Sequence, residues 1–311
     1  MSGQRPFRFG AGPGSPMSRT EWVTQARTVE DLGYATLLVA DHFNRDWLAP
    51  LTALMAAADA TRTMRIGTMV FANDYRHPVV LGKELATLDL LSEGRLEIAI
   101  GAGWVEPEYN QLGLRFDPPG TRIERLEEAV KILKGLFGET PVTFAGKHYA
   151  VTGVDGFPKP VQQPYPPLLI GGNGKRLLSL AAREANIIGL LMRTHGSRLD
   201  MSTSTTTAMA QRLSWIREAA GERFNELEIN TVVFNVVVTD DRQQAVEQVA
   251  QGWGTTPEVV RDSIHVLVGT VDQMCEDLER WREHLGISYI AVPGQANIMA
   301  LAPVVARLAG K

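Results

Sequence analysis

The chain of 311 residues is 44% hydrophobic and 21% charged, which fits a folded globular protein and excludes disordered, collagen-like and coiled-coil architectures. Its 31 basic and 35 acidic residues leave a net charge of −4, so no domain-wide basic field exists for nucleic acid. Cys275 is the only cysteine, which excludes an internal disulfide framework and a multi-cysteine zinc site.

Apolar, β-branched runs alternate with amphipathic stretches along the whole chain. Phe7–Ala11 reads as a first strand. Ser18–Leu32 follows as a helix: Ser18 and Glu21 form a capping box, Trp22, Ala26 and Val29 share one face, and Gly33 sits where the helix ends. Thr36–Ala40 is the second strand, Leu51–Thr61 a helix and Arg65–Phe71 the third strand. His77-Pro78 opens the next helix, with His77 as its cap, and Gly94 closes it. Leu96–Ile100 is the fourth strand and Thr121–Phe137 a helix. A hairpin (Val142–Phe144 and Tyr149–Val151) interrupts the alternation before the fifth strand, Leu168–Ile170. Arg176–Glu184, Ile187–Leu191 and Thr206–Ala220 continue it as helix, sixth strand and helix. Thr231–Val238 is the seventh strand, Val271–Leu285 a helix, Ser288–Val292 the eighth strand and Ile298–Leu308 the last helix. Cys275 lies in a helix beside Met274, Leu278 and Trp281 and reads as a core residue.

Strands separated by helices imply parallel pairing, because each connection is a crossover. The pattern is α/β and matches a (β/α)8 TIM barrel, one domain over residues 1–311. A doubly wound open sheet shares the alternation and stays as the alternative. Insertions at Val105–Gly120, Gly138–Pro167, Arg193–Thr205 and Gln251–Gly269 are expected at the C-terminal face of the barrel. The opening residues lack an apolar stretch suited to a signal peptide, and the most apolar run, Leu48 to Ala60, is too short to span a bilayer. A cytoplasmic protein without membrane contact is expected.

A barrel carries its site where the strands end. Asp41-His42 follows the second strand. It suits either proton transfer near neutral pH or a plain salt-bridged strand end. Gly171-Gly172-Asn173-Gly174, with Lys175 and Arg176, precedes a helix and suits a phosphate on backbone N–H groups. A tight turn that needs glycine is the other reading, and the spacing is neither a dinucleotide fingerprint nor a P-loop. Gly101-Ala102-Gly103-Trp104 suits the close approach of a flat ring, or a packed barrel rim. His148, His265 and His284 read as surface or loop residues, and no ligand spacing points to a metal.

Several of these segments together resemble the luciferase-like monooxygenase superfamily. They are Arg76-His77-Pro78, Ala86-Thr87-Leu88-Asp89, Leu91-Ser92-Glu93-Gly94-Arg95 and Gly101-Ala102-Gly103-Trp104, with Asp41-His42, Gly171–Gly174, Val268-Gly269-Thr270 and Gly286-Ile287-Ser288-Tyr289 at matching places. Within it the chain is most similar to the actinobacterial branch that uses coenzyme F420. The resemblance implies a homodimeric barrel with a flavin or deazaflavin at its C-terminal face. It implies a cofactor phosphate on Gly171, Gly172, Asn173, Gly174 and Lys175, and a ring near Asp41, His42, Asn73, Gly103 and Trp104. It also implies a non-proline cis peptide near Met69-Val70, behind the ring.

On that footing His42 is the expected proton relay, oriented by Asp41. Trp104 and Phe43 cover the ring, and Arg176 or Arg193 meets the acidic cofactor tail. The F420-dependent glucose-6-phosphate dehydrogenases of the family place a glutamate directly after the strand-four glycines. Trp104 stands there in this chain, and neither Glu106 nor Glu108 is assigned its role. The implied reaction is hydride transfer between deazaflavin C5 and a small organic substrate, as a reductase of a C=C, C=N or C=O bond. An FMN-dependent monooxygenase and a non-catalytic flavin- or deazaflavin-binding protein are the alternatives. A mouth lined by Trp47, Phe71, Tyr75, Trp104 and Met192 suits an apolar or aromatic molecule.

Overall fold

Eight parallel strands close on themselves in the computed structural model, which describes residues 4–14, 16, 18–43, 47–195 and 198–311. In chain order they are β1 (Arg8–Gly12), β2 (Thr36–Val39), β3 (Arg65–Thr68), β4 (Leu96–Gly101), β5 (Leu168–Gly172), β6 (Ile187–Leu190), β7 (Glu228–Val232) and β8 (Ile287–Pro293). Each pairs with its sequence neighbour, and β8 returns to β1 with Phe9 beside Ile290. The open-sheet alternative is thereby excluded. The strands are short and mainly apolar because both of their faces are covered. A two-residue continuation, Phe71–Ala72, carries β3 on alongside β4. Between the two pieces the Met69–Val70 peptide is cis, at the place the family resemblance implies.

Side chains fill the lumen. At the N-terminal end Arg8 reaches Glu97 at 2.6 Å and Glu228 at 2.7 Å, with its guanidinium over the Tyr289 ring. Ala99, Leu169, Ile187 and Tyr289 pack in the barrel, and Leu38, Val232 and Ala291 form a second cluster with Met69. The interior is therefore a core, and ligands are confined to the rim.

Outside the barrel the helices sit close to their sequence-predicted bounds. Ser18 Oγ accepts the Glu21 N–H at 3.2 Å, and His77 Nδ1 accepts the Val79 N–H at 3.3 Å, so both caps form. Cys275 is half-buried against the main core. The 142–154 insertion is a hairpin, and the 193–205 insertion another short one, of which residues 196 and 197 lie outside the described residues. Among the described residues no helix is long and apolar enough to cross a membrane.

The seventh predicted strand needs correction. The chain leaves the barrel after Val232, and Asn235–Val238 pairs instead with Val266–Gly269 as a separate two-stranded sheet. That places His265 in the interior, where it is 0% exposed rather than in a surface loop. Its Nδ1 meets the Val232 carbonyl at 2.8 Å, and burial pushes its pKa down to about 4, so it is a neutral donor. His148 is half-buried beside Glu124, and His284 is exposed.

Candidate active site

Two groups of side chains gather at the C-terminal ends of the strands. The first lies over β2, β3 and β4. Asp41 is buried and takes Arg76 in a bidentate pair (2.6 and 3.1 Å), plus the Ala72 N–H at 3.1 Å. It locks the end of β2 to the chain after β3. It does not orient His42, because its oxygens are committed to Arg76.

Glu108 does that instead. Its carboxylate is 1% exposed and lies 3.0 Å from His42 Nδ1. A carboxylate only accepts, so Nδ1 carries the hydrogen and Nε2 is left as the second functional nitrogen. Glu108 also accepts the Tyr75 hydroxyl at 2.8 Å and the Phe43 N–H at 3.3 Å. Burial and the neighbouring Glu108 charge hold the Tyr75 phenol well above its ordinary range, so it remains a donor. The His42 ring lies 6.2 Å from both Trp47 and Trp104, and Phe43 meets Tyr75 edge-on.

The position of Glu108 follows from the backbone after β4. Gly103 has φ +73°, which turns the chain back, and a Cβ there would run into the Tyr109 hydroxyl. Its glycine is thus required by Tyr109 within this chain. Tyr109 is fully buried and donates to Asp74 at 3.1 Å. Arg122 lies over the Phe116 ring and donates to the carbonyls of Ala102, Gly103 and Asp117. The short helix Glu106–Gln111 then delivers Glu108 inward.

Other expected members divide. Trp104 is 39% exposed at the rim. Met69 and Val70 pack onto the two lumen clusters, as floor. Asn73 is buried and directs its amide nitrogen to Asp74 and Tyr149. Phe71 and Met192 are 0% exposed and belong to the hydrophobic cores, so they do not line a mouth.

The second group lies over β5 and β6. Gly171-Gly172 ends β5, and Gly174 caps the helix Lys175–Glu184 without any side-chain cap. The first intrahelical bond comes from Leu178, which leaves the preceding N–H groups without helical acceptors. A Cβ at Gly174 would meet nothing within 4 Å, whereas one at Gly172 would strike Leu177. Gly172 is therefore a packing glycine, and Gly174 borders open space. Asn173 Nδ2 donates to the Met192 carbonyl at 3.1 Å and fixes the loop to the end of β6.

Lys175 and Arg176 do not converge on that loop. Lys175 pairs with Glu218 at 2.9 Å and Arg176 with Glu124 at 3.0 Å, on the surface. The cation beneath the loop is Arg212, from the helix Thr206–Ala220, which sequence reading missed. It is 3% exposed and donates to the carbonyls of Asn173 (3.3 Å) and Thr203 (2.8 Å). Burial, and then Arg193, lower its pKa to about 10.

The family model for luciferase-like monooxygenases matches residues 4–286. The chain belongs to the luciferase-like monooxygenase family. It is 31% identical over 189 residues to an F420-dependent glucose-6-phosphate dehydrogenase of Microbacterium testaceum, a match spanning 58% of this chain and 55% of that protein. The enzyme of the same name from Amycolatopsis mediterranei is 28% identical over 292 residues, 92% of this chain and 82% of its own. Among solved structures, an F420-dependent secondary alcohol dehydrogenase in complex with an F420-acetone adduct superposes with a TM-score of 0.77 at 20% identity, covering 97% of this chain and 99% of the other. That structural likeness shows the luciferase-like fold.

Proposed function

We propose that this luciferase-like chain is an F420-dependent oxidoreductase. It moves a hydride between deazaflavin C5 and a small organic substrate, with His42 as the proton relay. The observation that carries the reading is the Glu108–His42 couple: a buried carboxylate fixes one imidazole nitrogen and leaves the other for substrate. The relatives' F420 dependence supports the choice of cofactor.

The described residues fit such a group. Gly174 and the free N–H groups after it form an uncapped cradle, with Arg212 beneath, suited to the cofactor phosphate. Trp104 and Trp47 offer aromatic faces near His42 for the ring and for an apolar or aromatic substrate. Coenzyme F420, when bound, gives or takes a hydride at C5.

In the reducing direction, the substrate carbon gains the hydride while Nε2 of cationic His42 gives its proton to the neighbouring oxygen, nitrogen or carbon. Glu108 keeps Nδ1 protonated and stabilises the imidazolium before transfer. Tyr75 and the Phe43 N–H hold Glu108 in place, so the relay does not reorganise as the proton moves. In the oxidising direction His42 takes the proton.

Titration of the purified protein with F420 and with FMN, followed by fluorescence, tests the cofactor. Micromolar F420 binding with weaker FMN binding is expected. The reverse preference, with oxygen uptake on reduced FMN, would make the chain a monooxygenase of the same fold. Turnover with any acceptor would remove the non-catalytic alternative. A cytoplasmic homodimer completes the proposal, with light scattering as the check on its mass.

A further inference from the structure

The sequence-evident cations at the glycine loop are spent elsewhere, on Glu218 and Glu124, yet a guanidinium with no acid partner lies under that loop. Among the described residues no carboxylate comes within salt-bridge distance of Arg212; its recorded donors go to two carbonyls and the Met209 sulfur. Three part-buried arginines are matched by acids: Arg8 by Glu97 and Glu228, Arg76 by Asp41, Arg125 by Asp74 and Asp117. Among the described residues Arg95, Arg122 and Arg223 also lack an acid; Arg95 and Arg223 are part-buried and donate to carbonyls, while three carbonyls and the Phe116 face surround Arg122.

Arg212 is the most deeply buried of these, and the charge of Arg193 disfavours its cation further. The Arg193 N–H donates to Thr203 Oγ1 at 2.7 Å, and Arg212 donates to the carbonyl of the same Thr203. The Asp200 carboxylate accepts from Ser202, and its charge partly offsets the effect of Arg193 on Arg212. A buried guanidinium with no acid beside it is unfavourable unless an anion completes it. The uncapped helix N-terminus at Gly174 lies next to Asn173, whose carbonyl Arg212 holds.

We propose that Arg212 supplies the counter-charge for an anionic phosphate bound at Gly174, in place of Lys175 and Arg176. This rests on the cofactor reading above and assigns its phosphate end. Arg212 thereby selects for phosphate-bearing cofactors over their phosphate-free cores. The backbone N–H groups supply direction and Arg212 supplies charge.

The test compares binding of F420 with binding of its phosphate-free deazaflavin riboside, and of FMN with riboflavin, in the wild type, Arg212→Gln, Arg212→Lys and Lys175→Gln. Arg212→Gln should weaken the phosphate-bearing member of a pair at least about tenfold and the phosphate-free member less than about twofold. Arg212→Lys should recover part of that loss, and Lys175→Gln should lose less than Arg212→Gln. Equal weakening of both members would make Arg212 a loop clamp only and overturn the proposal, as would a larger loss in Lys175→Gln. If the wild type binds none of the four, the cofactor reading falls. The anion site is then decided by thermal unfolding in inorganic phosphate: stabilisation absent from Arg212→Gln supports it, and stabilisation equal in both proteins overturns it.

Discussion

The two ends of the barrel mouth are built on opposite principles. Over β2–β4 nearly every charge is matched: Asp41 with Arg76, Glu108 with His42, Asp74 with Arg125. Over β5–β6 the loop ends on an uncapped helix above a guanidinium without an acid. The first end is complete in the protein alone, and on the proposal above the second is completed by its ligand. Damage at the first should therefore appear in turnover and stability, and damage at the second in affinity.

The largest effect should come from the relay. His42→Ala is expected to lower kcat about a hundred- to ten-thousand-fold while cofactor binding changes little. Glu108→Gln should fall in the same direction by a smaller factor, because the amide still fills the space but no longer supports the imidazolium. Steady-state kinetics beside a cofactor titration separates the two readouts; parallel losses in kcat and affinity would erase the distinction between the ends.

Glycine substitutions sharpen it next. Gly103→Ala forces a left-handed backbone on alanine and a clash with Tyr109, so urea unfolding should show a loss of about 3 kcal/mol. Gly174→Ala, where the added methyl enters open space, should change stability by less than about 1 kcal/mol and weaken F420 binding instead. A destabilised Gly174→Ala protein with normal affinity would contradict this division.

His265, close to the second end, gives a pH signature. Its folded pKa of about 4 lies below the unfolded value near 6.5. The unfolded chain therefore takes the proton first. The stabilising contribution of the neutral ring is complete above pH 6.5 and is lost as pH falls toward 4, by roughly 3 kcal/mol. Denaturant midpoints measured across that window should decline in the wild type and decline less in His265→Gln. The smallest effect is expected from Asp41→Asn on turnover: stability should drop by about 2–3 kcal/mol as Arg76 loses its partner, but kcat should stay within a few-fold, because Asp41 does not hold His42.

The barrel itself was readable because buried parallel strands must be apolar and each crossover helix must carry one apolar face; Phe7, Leu37, Ile66 and Ile98 announce themselves that way. His42 was readable from its place at a strand end. The partnership of His42 with Glu108 spans 66 residues, and no periodicity encodes such a contact. Arg212 was hidden for a different reason: in sequence it resembles any solvent-facing arginine of an amphipathic helix, and only the packing of that helix against the loop after β5 shows it inside. The side pair of Asn235–Val238 and Val266–Gly269 was missed because Val233 and Phe234 continue an apolar run across the point where the chain leaves the barrel. His265 was misplaced with it.

Glu108 sits four residues beyond Trp104, which directly follows the strand-four glycines, and its carboxylate reaches the His42 imidazole from a separate short helix. The acid that holds the imidazole is carried on a different stretch of chain from the strand end that presents the histidine, so the couple depends on how one short helix docks as well as on the barrel.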